Sequence, residues 1–149
     1  MIEALALPKA ELRLKRKKNV VYVWCILRKK ELVCTPEEWV RQHVIHYLIN
    51  EANISIGRIA SEYPLEYNGL KKRADVVVFD SESKPFLIVE CKATSVPVST
   101  KTLDQIAQYN SQLQVPWLWL TNGLRHVHCR IDSVEASLVF GEGIPVLHH

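Results

Sequence analysis

Several features are missing from this 149-residue chain, and each absence narrows what it can be. No apolar run approaches the ~18–20 residues needed to cross a bilayer, so no membrane span is expected. The four cysteines, Cys25, Cys34, Cys91 and Cys129, form no CxxC pair. They read as reduced thiols packed as small apolar groups in a cytoplasmic protein. The first residues lack the basic leader of a secretory signal: Glu3 and Glu11 stand in its place, and Pro8 and Lys9 interrupt the apolar part. There is no internal repeat, long linker, low-complexity tract, phosphate-binding P-loop or serine-nucleophile elbow. A net charge of only +3 excludes a general polycation.

What is present is ordinary globular composition, 48% hydrophobic and 23% charged, in a length that buries a core as one domain, residues 1–149. The positive charge is uneven. Arg13, Lys15, Arg16, Lys17 and Lys18 crowd one segment, and Lys71, Lys72 and Arg73 another. Such clusters suit phosphates, and each taken alone equally suits a solvated surface. Residues 1–18 read as a loosely held basic N-terminal arm. The β-rich "NVVYVWCIL" predicts a strand over 19–27. In "TPEEWVRQHVIHYLINEA", Thr35, Pro36 and Glu38 mark the start of a helix as N-cap, first-turn proline and capping-box acid. Its apolar face comprises Trp39, Val40, Val44, Ile45, Leu48 and Ile49. A strand follows over 56–67, with Pro64 pointing to a sheet edge. Two hairpin strands are expected near 74–79 and 86–92, and a second helix over 99–114 capped by Ser99 or Thr100. A buried strand in "VPWLWLTNG" precedes two weaker strands in "RHVHCRI" and "ASLVF". This order predicts an α/β (α+β) fold, a central mixed sheet flanked by helices. A crossover through the second helix would bring a parallel strand beside the hairpin.

The hairpin "RADVVVFDSESKPFLIVECKA" places charge at the borders of apolar strands. Alternation puts Glu90 and Lys92 on one face. A turn centred between Glu82 and Ser83 sets Asp75 opposite Glu90, where opposed Cβ atoms lie ~4.5–5.5 Å apart. Two carboxylates that close repel unless a cation lies between them. Hard oxygen ligands suit Mg²⁺, and the Cys91 backbone carbonyl could be a third ligand. A divalent ion lowers the pKa of a bound water, and Lys92 could orient that water or stabilise charge growing on a phosphoryl group. The competing reading is a set of surface ion pairs worth little energy.

At these residues the chain resembles the PD-(D/E)xK nuclease superfamily: D-x14-E-C-K closes the hairpin. Over roughly residues 20–128 it resembles more closely the N-terminal nuclease domain of type I restriction enzyme R subunits. "TPEEWVRQ", "ASEYPL", "RADVVVFD", "LIVECKA", "DQIAQYN" and "WLTNG" occur in that family's order. The family's proline before the aspartate is Ala74 here, a change of backbone shape rather than chemistry. The resemblance implies a restriction-endonuclease-like core and a DNA endonuclease using Mg²⁺ or Mn²⁺. It implies metal ligation by Asp75 and Glu90, with Lys92 as the catalytic lysine. Glu38 matches a helix-borne acid that supports a metal through water, a role weighed evenly with capping. Gln105 and Tyr109, one helical turn apart, would steady Lys92 or a DNA phosphate, or else be an exposed amide and a half-buried tyrosine. Arg16, Lys17, Arg41, Lys71, Lys72 and Arg73 are candidate DNA contacts, with an ion pair to Glu37 or Glu38 the alternative for Arg41. Partners implied are DNA and either a second copy or restriction–modification subunits. A helicase motor does not fit within 149 residues.

Other readings carry less. His126 and His128 share a strand face while Cys129 points away, too few ligands for structural zinc. Trp117 and Trp119 alternate with leucines and read as core rather than as base-stacking platforms. A non-catalytic nucleic-acid-binding or assembly module on the same fold is the alternative to an enzyme. The terminal His148 and His149 read as native residues or a tag stub.

Overall fold

The computed structural model describes residues 3–67, 69–110, 115–132 and 137–147. Two sheets form. Strands β1 (Leu14–Lys17), β2 (Val20–Cys25) and β3 (Lys30–Val33) make a small antiparallel sheet. Helix α1 (Pro36–Asn50) follows, then a single 3₁₀ turn at Ile56–Arg58. The large sheet runs in spatial order β4-β5-β6-β7-β8-β9. Its strands are β4 (Ile59–Tyr67), β5 (Leu70–Phe79), β6 (Pro85–Cys91), β7 (Trp117–Thr121), β8 (His126–Asp132) and β9 (Ser137–Glu142). Helix α2 (Thr100–Asn110) carries the chain from β6 to β7, the one parallel pair; the other neighbours are antiparallel. The architecture is therefore α+β on a mixed sheet. Residues 111–114, the expected end of the second helix, lie outside the described residues, as do His148 and His149.

Each helix covers one face of the sheet. Val40, Val44, Ile45 and Leu48 of α1 pack with Val76, Val78, Leu87 and Val89. Leu103 and Ala107 of α2 pack with Val77, Ile88, Leu118 and Val127 on the other side. This double cover explains the unbroken apolar run in β6, since both faces of that strand are dry. Thr35 Oγ1 accepts from Glu38 N at 3.0 Å, and Ser99 Oγ accepts from Thr102 N at 3.2 Å. Each hydroxyl satisfies an amide that the first helical turn leaves open. Pro64 lies on β4, an outermost strand, where a missing N–H costs no ladder bond.

The N-terminal segment is not the loose arm expected from its charge. Leu14–Lys17 pairs with β2 from Leu14↔Val23 to Lys17↔Val20. Residues before it are strapped across the molecule. Ala6 N donates to Gly123 O at 2.7 Å, Trp39 Nε1 donates to Glu3 O at 2.9 Å, and Leu5 and Leu7 pack on the α1 core. Cys25 of β2 and Leu32 of β3 join the same core. Arg41, Gln42 and His43 are buried along with the helix's apolar residues, Arg41 where α1 meets Asp75 of β5.

Candidate active site

The hairpin register places the two acids together. Val76 pairs with Val89, so one step further along the antiparallel ladder Asp75 lies across from Glu90. The turn is set by Asp80, whose Oδ1 accepts from Glu82 N (2.8 Å) and Lys84 N (3.0 Å), with Ser83 in the left-handed region at φ 62°. On the other side of β5 the ladder is interrupted at this same place. Ser61 pairs with Val76 and Tyr63 with Ala74, while Glu62 between them adopts φ 51°. The alternation of faces breaks here too: Val76 and Val78 face α1, whereas Ala74 joins Val77 in the α2 core. Asp75 sits at the break and turns toward α1, where it meets Arg41.

The carboxylate of Asp75 is held at both oxygens. Oδ2 accepts from the Cys91 backbone N at 2.7 Å, and Oδ1 accepts from Arg41 Nη2 at 3.0 Å. Glu90, at the end of β6, is 9% exposed. Its pKa is pushed up to about 8, first by burial and then by the charge of Asp75, with Lys72 and Lys92 pulling the other way. A buried carboxyl beside a second acid is a place where positive charge is missing. The donors facing it are carboxylate oxygens. The nearest thiol, Cys91, lies in the α1 core, fully buried, with its pKa raised by that burial. Among the described residues no three His, Cys, Asp or Glu side chains converge on one point. A hard ion that keeps waters and takes phosphate oxygens as its remaining ligands, Mg²⁺ or Mn²⁺, fits this donor set; a closed zinc site does not.

The remaining candidates are placed as follows. Glu38 is 7% exposed, and both its oxygens are engaged: Oε1 by Arg41 Nη1 and Oε2 by Gln42 Nε2 at 3.0 Å. Its side chain therefore does not close a capping box, and Thr35 N bonds to Val33 O instead. Arg41 is the larger correction. It is 6% exposed and lies in a fork between Glu38 and Asp75, with Glu37 at 3.7 Å, and so is not an open phosphate contact. Burial would pull its pKa down, but Glu38 and Asp75 outweigh that and fix the guanidinium as a cation.

Lys92 is half-buried, with its backbone N donating to Thr121 O at 2.8 Å. It lowers the pKa of Glu90, although Lys72 on β5 does so more strongly. Spacing gave no sign of that influence, because alternation fails at Asp75. Gln105 is exposed on α2, and among the described residues no hydrogen bond ties it to Lys92 or to either acid. The Tyr109 side chain lies outside the described residues. Lys71, Lys72 and Arg73 line an open concavity of about 570 Å³ with Pro64, Leu65 and Glu66. Arg73 is well exposed there and pairs loosely with Glu62 at 3.8 Å. Arg16 and Lys17 are exposed on β1, where Lys17 is held by Glu31 at 3.1 Å.

The histidine pair is accounted for without a metal. His126 Nε2 meets Ala6 O at 2.7 Å, and Trp119 Nε1 donates to His126 Nδ1 at 3.2 Å. Those partners require the tautomer protonated at Nε2, and burial lowers the pKa of the ring. His128 Nδ1 meets Gly143 O at 2.8 Å, and its ring lies where a Cβ on Gly141 would fall.

A sequence model of the family described as "Type I restriction enzyme R protein N terminus (HSDR_N)" matches residues 36–145. No curated protein matches the chain. Among solved structures, the chain is similar to a fragment of a candidate HsdR subunit of a type I restriction enzyme from Vibrio vulnificus YJ016. Identity is 21% and the TM-score 0.41, covering 58% of this chain and 18% of that one.

Proposed function

Because the chain belongs to the type I restriction enzyme R protein N-terminus family, we propose that the Asp75–Glu90 end of its hairpin is the centre of a DNA phosphodiesterase. The observation that carries this reading is the buried Glu90 carboxyl beside Asp75, whose proton is held by burial and by the neighbouring acid and which a divalent ion would displace. Mg²⁺ bound there would acidify a water and offset charge on a phosphate. Asp75 and Glu90 would hold the ion, with the Cys91 carbonyl as a further oxygen donor. Cys91 N and Arg41 keep Asp75 in place for it. Lys92 and Lys72 add positive charge beside the scissile group and offset the charge that grows on its oxygens. In the reaction, a water oxygen bonds to phosphorus while the bond from phosphorus to the 3′ oxygen breaks. The water proton ends on that leaving oxygen, giving a 5′-phosphate and a 3′-hydroxyl.

The concavity of Lys71, Lys72 and Arg73 would bind the DNA backbone, with Arg16 and Lys17 on the small sheet as further phosphate contacts. Restriction–modification subunits or a second copy would be the protein partners. A cut through both strands needs two such centres. The test is nicking of supercoiled plasmid with Mg²⁺ or Mn²⁺. Asp75→Asn, Glu90→Gln and Lys92→Ala should each lose at least about a hundredfold in rate, the scale of a lost general acid–base or charge-stabilising group. Equal activity in the wild type and all three variants would reject the assignment.

One observation favours a second reading, a non-catalytic DNA-binding or assembly module: both oxygens of Asp75 already accept hydrogen bonds from the protein. Such a module would bind DNA equally well with chelator present and would show no cleavage.

A further inference from the structure

The acids near Asp75 outnumber the charges needed for one metal ion, and one cation among them is supplied by the chain itself. Arg41 is buried, and burying a guanidinium is costly unless it is paired. Its fork divides between two elements: Nη1 goes to Glu38 on its own helix and Nη2 to Asp75 on β5. Its Nε is buried without a partner, so this position is held for the two carboxylates and not for full satisfaction of the side chain. Gln42, wholly buried, fastens the other oxygen of Glu38.

A site that used two divalent ions would need carboxylates bridging them about 3.5–4 Å apart. Here the place between Glu38 and Asp75 is filled by a fixed positive charge. We infer that Arg41 is a positioning residue that takes the place of a second metal ion, so that the site admits one divalent cation, between Asp75 and Glu90. The inference rests on the metal-dependent reading above. Arg41 neutralises Glu38. That leaves Asp75 and, once the ion displaces its proton, Glu90 to match a single divalent ion. The same guanidinium, with Cys91 N, fixes Asp75 at two points and so limits its rotation. A planar fork does this and a lysine ammonium does not.

The test counts Mn²⁺ bound by the full chain, from the electron paramagnetic resonance signal of free Mn²⁺ and from calorimetry, with no DNA present. The wild type should bind one ion per chain. Arg41→Met bares Glu38 and Asp75 and should bind a second. The double variant Glu38→Gln/Arg41→Met removes both charges together and should return the count to one. Arg41→Lys should keep the count at one but weaken binding about tenfold, the scale seen when a group that orients a metal ligand is lost. Two ions on the wild type, or a single ion on folded Arg41→Met, would overturn the inference and leave the hydrolase reading standing. No ion on the wild type would overturn both. Should Arg41→Met not fold, Arg41→Lys carries the test: an unchanged Mn²⁺ affinity in that variant would overturn the inference, and a purely structural Arg41 would change unfolding midpoints without changing count or affinity.

Discussion

Glu90 carries the sharpest consequence at the scale of single residues. Its carboxyl titrates from an ordinary 4.5 in the unfolded chain to about 8 in the fold, because of burial first and Asp75 second. Between those values the folded state holds a proton that the unfolded state has released. Stability from this group is therefore complete below about pH 4.5 and is lost as pH rises through about 8. Guanidinium unfolding between pH 5 and 9 should show a falling midpoint for the wild type and a flatter profile for Glu90→Gln; identical slopes would contradict the burial of an acid here. The position of Glu90 opposite Asp75 was legible in the sequence by counting from a turn centred between Glu82 and Ser83, and the structure reaches that pairing through a register shift between Val78 and Phe79, with Phe79 opposite Pro85. Arg41 was not legible. Three residues after Glu38 it reads as half of a surface ion pair, and only the packing of α1 on the large sheet, where Arg41 also reaches Asp75, makes that pair internal. Lys72 was hidden for another reason: strand alternation, the rule that assigns faces, breaks at Asp75 where Glu62 takes φ 51°.

Among the elements, α1 and its cap could be read directly, since Thr35 and Pro36 are local signals that need no tertiary context. Thr35→Ala should cost about 1 kcal/mol in chemical unfolding, with no change in metal binding. The strand Leu14–Lys17 could not be read. All four residues are exposed and three of them, Lys15, Arg16 and Lys17, are charged, so it becomes a strand only because β2 offers it a ladder. The strap before it rests on Leu5 and Leu7, whose spacing alone does not separate a docked segment from a free one. Gly123 reports on that docking. It holds φ +86°, and a Cβ there would lie 2.9 Å from Leu5 Cδ2 and 3.0 Å from Val40 Cγ2. Gly123→Ala should therefore destabilise by about 1–2 kcal/mol through backbone strain and displacement of the strap. Leu5→Ala should weaken the fold as well, by about 1–2 kcal/mol for a half-buried leucine. Unfolding midpoints unchanged in both variants would show that the strap contributes nothing to stability.

For the molecule as a whole, the two helices and the six-stranded sheet bring an acidic centre and a basic concavity to the same hairpin, β5 with its neighbours. Phosphate binding through that concavity should be strongly salt-dependent, and Lys71→Ala/Arg73→Ala should lower the slope of log affinity against log salt by about two. An unchanged slope would move the DNA surface elsewhere. The chain covers 18% of the HsdR fragment to which it is similar. The measurement that bears most directly on the account is the anomalous difference density of a crystal soaked in Mn²⁺. A single peak between the carboxylates of Asp75 and Glu90, with Arg41 still seated between Glu38 and Asp75, is the predicted result. Full-occupancy Mn²⁺ elsewhere with nothing between those two acids would contradict it.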